Sequence, residues 1–357
     1  MVHVDSERGF SGGEVQVLLL MEGLRARGVS QRLVSPRGSA IDGAARSRGF
    51  DTVAAPLKND LDLRSVLRLS RAAADGALLH LHTGRATWLG GLAARWSGCP
   101  AVITRRMDRR VRRGLKTSLG YGRSDSAVVA ISPSVREELL AAGVASDRVV
   151  VIPDALDPAR IAPQRGRDAA RAALDVAPED VVVLALANFV HRKGLDVLLR
   201  AVARLADARV HLLLAGDGPE ADSLQALSRQ LCGPRAARFL GVREDVGDLL
   251  AACDVFCMPS RAEGMGVAAL EALAAARPVV ASRVGGLAHL VTDEQCGLLV
   301  PPGDDVALAS ALARLRDDPS LRARLGDAGP GRVDQGFRLE QYVDRHLEVY
   351  RSLLPRA

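Results

Sequence analysis

Residues 254–282 read DVFCMPSRAEGMGVAALEALAAARPVVAS, and this stretch decides the fold. The apolar run at 255–260 predicts a strand, and a loop with two glycines follows it. An alanine-rich stretch then predicts a helix, and the run at 278–282 predicts a second strand. Strand, helix and strand in this order form a βαβ unit with parallel strands. The helix therefore begins beside the glycine loop, at the carboxyl end of the first strand.

The same alternation runs through the whole chain, with helical patterns between nearly all of the apolar runs. It predicts an α/β fold with parallel sheets and helices on both faces. Because one open sheet rarely carries so many strands, two doubly wound, Rossmann-like domains are expected. The predicted strands are 2–5, 31–35, 52–55, 77–82, 100–104, 127–132, 149–153, 181–186, 210–216, 238–241, 255–260, 278–282 and 297–300.

The boundary between the domains is expected within residues 155–180, which hold three prolines and no strand pattern. We therefore predict a first domain of residues 1–157 and a second of residues 158–339. A last helical pattern, near 338–354, has no strand after it. It predicts that residues 340–357 are free to pack back onto the first domain. The expected ligand site is a cleft at the carboxyl ends of the strands.

Composition favours a cytoplasmic globular protein. The 357 residues are 48% apolar and 25% charged, and none of the apolar runs is long enough to cross a bilayer. Asp5 and Glu7 lie where a signal peptide would need a basic and then an apolar segment. The five cysteines are scattered, without metal-binding spacing, and are expected to be free thiols.

The positive charge is concentrated in the first half. The net charge is +6, but residues 1–157 carry 23 basic and 16 acidic side chains, whereas residues 158–357 carry 25 and 26. Only 3% of the residues are aromatic, too few for the stacking platforms of single-stranded nucleic-acid binders. No nucleic-acid partner is therefore expected. An anionic membrane surface or an anionic acceptor fits this charge better.

The densest basic segment is Arg105–Arg123, with eight basic residues in nineteen. On a helical wheel all eight share one face, opposite an apolar stripe. This arrangement predicts a surface for anionic lipid headgroups, on the inner face of the cytoplasmic membrane. The alternative is an ordinary helix packed on its own sheet, and Gly114, Gly120 and Gly122 argue against one continuous helix.

Two carboxylates and a glycine loop indicate the chemistry of the second domain. Gly264 and Gly266 allow the backbone to approach a ligand, and the start of the helix favours a phosphate. Glu263 and Glu271 would then bind something neutral, because an ionised carboxylate accepts hydrogen bonds and donates none. Sugar and ribose hydroxyls are suitable donors. The pattern therefore points to a nucleotide sugar.

Two further loops are weaker candidates for phosphate binding. His191, Arg192 and Lys193 follow the strand at 181–186, where they suit a diphosphate, although a solvated basic loop is an equal alternative. The turn Gly216–Gly218 follows the strand at 210–216, but tight turns need glycine in any case.

In the first domain, Gly12 and Gly13 occupy the position where Rossmann folds bind phosphate, yet the GxGxxG spacing is missing. This disfavours a nicotinamide oxidoreductase, and the two glycines remain suited to a ligand from across the cleft. His80 and His82 alternate on a strand, so they form either a metal pair or, more simply, polar contacts at the strand end. With no third ligand nearby in the sequence, no metal is expected.

Taken together, these motifs resemble the family 4 retaining glycosyltransferases of the GT-B fold, of the bacterial cell-envelope and lipopolysaccharide type. The second half carries them in the family's order: KG, LLLAGDGPE, RFLG, EGMGVAALEALAAARPVVAS, VGGL and GLLVPPGD. The first half resembles the family more loosely, through GGE, LLHLH and VVAISPSVREELLAAGV.

The resemblance implies specific roles. Glu271 would hold the ribose hydroxyls, Glu263 would contact the donor sugar, and Lys193 would neutralise the departing diphosphate. The backbone of Gly264, Met265, Gly266 and Val267 would approach the sugar and the diphosphate. Gly12 and Gly13 would line the cleft from the first domain, and Gly216 would lie near the donor. Val242 and Arg243 would contact the nucleobase. No cofactor is implied besides the donor, a UDP-, GDP- or ADP-sugar, and no metal is obligatory.

Four departures from the family pattern concern the same site. Asn188 stands where the family usually has an arginine, so Lys193 and Arg192 would carry more of the phosphate charge. Arg106 occupies the region of a frequent histidine, with Asp108 nearby as a substitute polar contact to the sugar. His289 replaces a glutamate after the second Gly-Gly turn, and IPDALD replaces an Asn-Gly turn. Changed donor or acceptor preference is expected.

The expected function is transfer of a sugar, with retention, to a glycan or lipid-linked acceptor of the cell envelope. The alternative is a non-catalytic nucleotide-sugar-binding protein or partner subunit with the same fold. The presence of both Glu263 and Lys193 favours the enzyme.

Overall fold

The computed structural model describes residues 1–73, 77–107, 111, 114–123, 125–233 and 237–354, and for residues 115, 116 and 119 the backbone alone. The chain divides into two compact units. The first comprises Met1–Ala155 together with Phe337–Ala357, and the second comprises Leu156–Gly336. The boundaries predicted at 157 and 339 fall close to these.

The first unit is built on a sheet of seven parallel strands in the order β3-β2-β1-β4-β5-β6-β7. Its inner strands are short and almost wholly buried, as expected for a parallel sheet covered on both faces. The strands are β1 (Val2–Val4), β2 (Arg32–Ser35), β3 (Asp51–Ala54), β4 (Leu79–Leu81), β5 (Ala101–Arg105), β6 (Ser126–Ala130) and β7 (Val149–Val151).

Seven helices belong to the described part of this unit: α1 (Gly12–Ala26), α2 (Ala40–Ser47), α3 (Leu63–Ala72), α4 (Gly84–Ser97), α5 (Leu115–Tyr121), α6 (Pro133–Ala141) and, from the chain's end, α17 (Leu339–Leu353). Helix α17 packs against α1. A Cβ on Gly23 would lie 2.2 Å from Cγ2 of Val343, so the glycine permits this close contact. Tyr342 and Tyr350 of α17 complete an apolar cluster with Leu20.

The second unit has a sheet of six parallel strands in the order β10-β9-β8-β11-β12-β13. The strands are β8 (Val181–Leu186), β9 (Val210–Ala215), β10 (Arg238–Phe239), β11 (Val255–Met258), β12 (Val279–Ser282) and β13 (Gly297–Val300). The helices are α7 (Pro158–Ile161), α8 (Arg167–Ala172), α9 (Leu195–Leu205), α10 (Ala221–Cys232), α11 (Val246–Ala252), α12 (Val267–Ala274), α13 (Leu287–Leu290), α14 (Asp305–Asp317), α15 (Pro319–Asp327) and α16 (Gly329–Asp334).

The strand order of each sheet reverses once, between β1 and β4 in the first unit and between β8 and β11 in the second. Open parallel sheets bind ligands at the carboxyl ends of the strands beside such a reversal. All thirteen segments predicted as strands overlap an observed strand, so the prediction of two doubly wound parallel sheets is confirmed.

The basic run at 105–123 does not form the continuous helix that was assumed when all eight basic residues were placed on one helical face. Arg105 ends β5, and α5 begins only at Leu115. Residues 108–110, 112 and 113, and with them Asp108, lie outside the described residues. Of the arginines that are described, Arg123 is paired with Asp125 and its side chain is only 9% exposed. The helical-wheel prediction for this run is therefore wrong.

The cysteines and the membrane prediction can also be compared with the structure. All five cysteines are free thiols, four of them buried and Cys232 half-buried. Within the described ranges, none of the helices combines the length and the apolar character that crossing a bilayer requires.

Candidate functional site

Two loops meet at the strand reversal of the second unit. The loop 187–194 follows β8, and the loop 259–266 follows β11. A Cβ on Gly194 would lie 2.1 Å from the carbonyl oxygen of Pro259, and Gly194 has a φ of 65°. A side chain is excluded there by both the contact and the left-handed backbone. The glycine of the KG motif thus allows the two loops to touch.

Arg261 fixes the two loops to each other. Its backbone N–H donates to the carbonyl of Arg192 at 2.7 Å, and Nη1 donates to the carbonyl of His191 at 2.9 Å. The guanidinium also forms a two-pronged ion pair with Asp196 at 2.7 and 2.8 Å. Such fork-shaped pairs constrain direction as well as distance. The Lys193 and Glu263 side chains are therefore carried on a rigid base.

Glu263 and Lys193 form an ion pair at the centre of this junction. Both side chains are nearly buried, with 10% and 11% of their surface exposed. Ser260 Oγ lies 3.4 Å from Glu263 Oε2, and Arg192 Nη1 lies 3.9 Å from Oε1. The Arg192 side chain is 47% exposed. An anion that reaches this junction meets one enclosed and one accessible cation.

The glycine loop after Glu263 leads directly into α12. Met265 is buried, Gly266 precedes the helix with a φ of 91°, and Val267 is the first helical residue. Gly286, from the second Gly-Gly turn, packs on this loop: its N–H donates to the carbonyl of Glu263 at 3.0 Å, and a Cβ on it would lie 2.3 Å from the carbonyl oxygen of Gly264. The two glycine motifs thus form one surface.

Glu271 lies inside α12 and is almost completely buried. Arg160 Nε of α7 donates to its Oε1 at 2.6 Å. Burial raises the pKa of the Glu271 carboxyl, and the Arg160 guanidinium opposes that rise. Sequence analysis missed Arg160 because it lies 111 residues from its partner in an irregular, strand-free segment.

The remaining predicted residues of the second unit lie at the ends of β8, β9 and β10. Asn188 is exposed. Gly216 has a φ of 135°, and its N–H donates to the carbonyl of Gly241 at 2.7 Å. A Cβ there would lie 1.9 Å from the carbonyl oxygen of Ala187, so Gly216 packs on the loop after β8. These turns continue the edge that holds Lys193.

The two residues expected at the nucleobase differ in accessibility. Val242 is 77% exposed, which suits contact with a flat ring. Arg243 is engaged by Asp245, with Nη2 to Oδ2 at 2.5 Å and Nε to Oδ1 at 2.7 Å. This pair fixes the Arg243 guanidinium beside the start of α11.

In the first unit, Gly12 and Gly13 begin α1 after the loop that follows β1. A Cβ on Gly12 would meet no atom of the described residues within 4 Å, whereas one on Gly13 would lie 3.6 Å from Cδ of Arg106. Ser11 and Glu14 form a reciprocal cap at this helix start, which stabilises its first turn. The structure therefore brings Gly13 and Arg106 together and leaves open space at Gly12.

Arg106 is held on three sides. Nε lies 3.3 Å from Asp154 Oδ1, Nη1 lies 3.4 Å from His82 Nδ1, and Nη2 lies 3.3 Å from the hydroxyl of Tyr342. Its side chain is 11% exposed. Burial lowers the pKa of Arg106, but Asp154 and Tyr342 more than offset this, so the cation is retained. Sequence analysis missed these partners, although Asp154 follows an apolar strand, a position that often carries function.

His80 and His82 join His3 in a buried cluster in which one ring nitrogen from each histidine lies within 4.8 Å of those of the other two. The hydrogen bonds show which ring nitrogen of His3 and of His82 carries the proton. The Gln31 amide nitrogen donates to the carbonyl of Met21, so Gln31 Oε1 accepts from His3 Nε2 at 3.0 Å. His3 Nδ1 must then accept from His82 Nε2, also at 3.0 Å.

The same logic extends to the other nitrogens of the cluster. His82 Nδ1 faces Arg106, which can only donate, and the nitrogens of His80 contact Thr104 at 2.7 Å and Tyr350 at 2.8 Å. A metal ion would have to displace this ordered chain of neutral rings. The described geometry therefore supports polar contacts at the strand ends.

Comparison with solved structures shows which fold the chain has. The chain superimposes on Anabaena HepE, solved with UDP-glucose, with a TM-score of 0.88 at 21% identity, over 98% of this chain and 99% of HepE. This likeness shows the GT-B fold, which has two parallel Rossmann-type sheets.

Sequence comparison then gives the family. Residues 10–160 match the Glycosyltransferase Family 4 model, and residues 166–332 match the Glycosyl transferases group 1 model. D-inositol 3-phosphate glycosyltransferase 1 of Catenulispora acidiphila is 33% identical over 314 residues, 80% of this chain and 74% of that protein. The chain belongs to glycosyltransferase family 4.

A second relative is named for lipopolysaccharide core biosynthesis. The lipopolysaccharide core biosynthesis glycosyltransferase LpsD of Rhizobium meliloti is 34% identical over 232 residues. That alignment spans 65% of this chain and 65% of LpsD, slightly less than two thirds of each.

Proposed function

We propose that this protein transfers a sugar from a nucleoside diphosphate sugar to a glycan or lipid-linked acceptor of the cell envelope. The observation that carries the proposal is the Lys193–Glu263 ion pair at the strand reversal, on one edge with the glycine loop and with Glu271 of α12. Each of the three parts of such a donor then has a suitable group: a carboxylate for the sugar, cations for the diphosphate and a second carboxylate for the ribose.

The chemistry follows from the charge of the leaving group. When the bond between the anomeric carbon and the diphosphate oxygen breaks, negative charge builds up on the diphosphate. Lys193, Arg192 and the N–H groups at the start of α12 would stabilise that charge most strongly as it develops. Because Arg261 and Gly194 already fix the backbone of the loop that carries Lys193, little reorganisation of that loop is needed during the reaction.

Retention at the anomeric carbon and independence of metal are part of the same proposal. Their support is the resemblance to family 4 and the cationic junction itself, which provides positive charge at the diphosphate position. A cell-envelope acceptor is supported by the name of the relative LpsD. The inositol phosphate named for the Catenulispora relative shows that other acceptors occur in related proteins.

Contact with the cytoplasmic face of an anionic membrane completes the proposal. Much of the basic run at 105–123 lies outside the described residues, but α3 of the same unit adds support. Leu61 just before it and Leu63 within it are 85% and 67% exposed, and Leu67 is exposed beside Arg64 and Arg68. Exposed leucines beside arginines suit the boundary between lipid headgroups and acyl chains.

A thermal-shift titration with UDP, GDP, ADP and NAD tests the donor part of the proposal. We expect stabilisation by at least one of the three nucleoside diphosphates and none by NAD. Stabilisation by NAD alone would overturn it. Nucleotide binding without any sugar transfer or donor hydrolysis would favour the alternative, a non-catalytic binding protein.

A further inference from the structure

The contact between Arg160 and Glu271 has no counterpart among the roles assigned so far. Arg160 Nε reaches Oε1 at 2.6 Å, and its side chain is 39% exposed while that of Glu271 is 4% exposed. Among the residues that the structure describes, no other hydrogen bond to the Glu271 carboxylate is found. The contact engages Oε1 and leaves Oε2 available to a ligand.

Arg160 is held in place by its own segment. The short helix α7 is capped by Asp157, which accepts from the N–H of Ala159 at 3.0 Å. The chain beyond α7 lies against α11 so closely that a Cβ on Gly247 would lie 2.5 Å from the carbonyl oxygen of Ala162. This backbone contact fixes the base of the Arg160 side chain, and so directs the guanidinium.

The Asp248 carboxylate adds a second anchor. Its Oδ1 accepts from the backbone N–H groups of Gln164 and Arg165 at 2.7 and 2.9 Å. The segment that carries Arg160 is therefore tied to α11 at both Gly247 and Asp248. Arg165 itself pairs with Asp248 at 3.6 Å and does not contact Glu271.

We propose that Arg160 is a positioning residue of the donor site: it keeps the buried Glu271 ionised and leaves Oε2 directed at the ribose. The inference rests on the proposed function, in which Glu271 binds the ribose hydroxyls. An ionised carboxylate can accept from two hydroxyls, whereas a protonated one presents a donor of its own. Burial alone favours the protonated form, so the binding of a ribose diol needs a nearby cation.

The same contact admits a different role, in which Arg160 covers Glu271 and must move before a nucleotide binds. The two roles predict opposite effects. Loss of a positioning residue weakens nucleotide binding, most strongly at acidic pH, where Glu271 gains a proton. Loss of a cover strengthens binding at every pH.

The experiment compares Arg160→Met, Arg160→Lys and the control Arg165→Met with the wild type. The probe is whichever of UDP, GDP and ADP gives the largest thermal shift, and Kd is measured by calorimetry from pH 5.5 to 8.5. The ratio of variant to wild-type Kd cancels the titration of the ligand's own phosphate. For Arg160→Met we expect a ratio several-fold above one at pH 5.5, where Glu271 gains a proton once its neighbouring cation is lost, and a fall towards one at pH 8.5.

We expect Arg160→Lys to restore most of the lost affinity and Arg165→Met to behave as the wild type. A ratio of one at every pH, or tighter binding by Arg160→Met, would overturn the inference while leaving the proposed function intact. If the wild type binds none of the three nucleotides, the proposed function itself fails. Equal melting temperatures of the two methionine variants would show that the difference is not a loss of folding.

Discussion

Lys193 and Glu263 lie seventy residues apart in the sequence and form a nearly buried ion pair on the edge of the second sheet. The pair links the loop after β8 to the loop after β11, on either side of the strand reversal. Two opposite charges at a ligand-binding edge are costly to bury unless they are satisfied, and here each satisfies the other. A sugar diphosphate would bring a new anion to Lys193 and new hydroxyl donors to Glu263.

Replacing Lys193 by alanine should slow turnover more than it weakens nucleotide binding. Lys193 faces the charge that develops on the diphosphate, so its loss falls mainly on the transition state. We expect kcat to fall roughly 100-fold or more, in the range found for removing one stabilising donor. The measurement is donor hydrolysis or sugar transfer, with Kd for the nucleoside diphosphate measured beside it.

Arg192→Ala is the matched control for that variant, because Arg192 lies on the same turn but its side chain is 47% exposed and 3.9 Å from Glu263. Its effect on kcat should be clearly smaller. Equal losses in the two variants would mean that the buried pair has no special role.

Glu271→Ala should weaken nucleotide binding and have little effect on the chemical step. A hydrogen bond to a charged group is worth about 1.5 to 3 kcal/mol, so losing the carboxylate should raise Kd by at least tenfold. Glu271→Gln keeps one acceptor oxygen, so its Kd should lie between that of the wild type and that of Glu271→Ala. Calorimetric titration measures the three Kd values. Unchanged affinity in both variants would show that Glu271 does not bind the nucleotide.

Alanine substitutions at two glycines distinguish a glycine that the fold requires from one that ligand binding requires. Gly286→Ala places a Cβ 2.3 Å from the carbonyl oxygen of Gly264, so it should lower both the melting temperature and the activity. A Cβ at Gly12 meets nothing within 4 Å in the part of the chain that the structure describes, and Gly12 lies in the first turn of α1, so the fold should tolerate Gly12→Ala. Reduced activity of Gly12→Ala at full stability would locate a ligand there, and full activity would exclude close approach at that position.

Acid should destabilise the protein through its buried histidines. Burial lowers the pKa of His3 and His346 to about 3 and lowers those of His80 and His82 as well. In the unfolded chain these groups take up protons near pH 6.5, so the unfolded state binds more protons between pH 6.5 and about 3. Stability therefore falls as the pH falls through this range. Burial raises the pKa of Asp5 to about 7, so the folded protein holds a proton on this group at pH values where the unfolded chain has lost it. Asp5 therefore favours the folded state as the pH falls and offsets part of the effect of the histidines.

His346→Phe tests that pH dependence. His346 Nδ1 donates to the carbonyl of Tyr342, and Nε2 is buried with no hydrogen-bond partner among the described residues. Removing the group should reduce the slope of the unfolding free energy against pH by about 1.4 kcal/mol per pH unit. Urea unfolding from pH 4 to 7 measures the slope, and a slope equal to that of the wild type would contradict the assignment.

The fold was predictable from the sequence because its determinants are local. The parallel strands lie in short, mostly apolar runs, and nearly all of these runs are separated by helical patterns, so the order of elements can be predicted without any tertiary contact. The glycines at 194, 216 and 266 were also visible, since their positive φ values belong to turns at strand ends.

Pairings between distant residues could not be predicted in the same way. The sequence placed Arg106 in the region of a frequent histidine but gave none of its partners. The structure surrounds it with Asp154, His82 and Tyr342, the last 236 residues away. The helical wheel failed at 105–123 for a related reason. It assumed one helix through a segment whose first residue, Arg105, completes a strand whose partners lie elsewhere in the chain.

The most direct test of the account is the release of nucleoside diphosphate from UDP-, GDP- and ADP-sugars in the presence of EDTA. We predict that the wild type releases nucleoside diphosphate from at least one of these donors, that the sugar product keeps its anomeric configuration by NMR, and that Lys193→Ala loses most of this activity. Release that requires a divalent metal, inverts the anomeric centre or survives the loss of Lys193 would contradict the proposed mechanism.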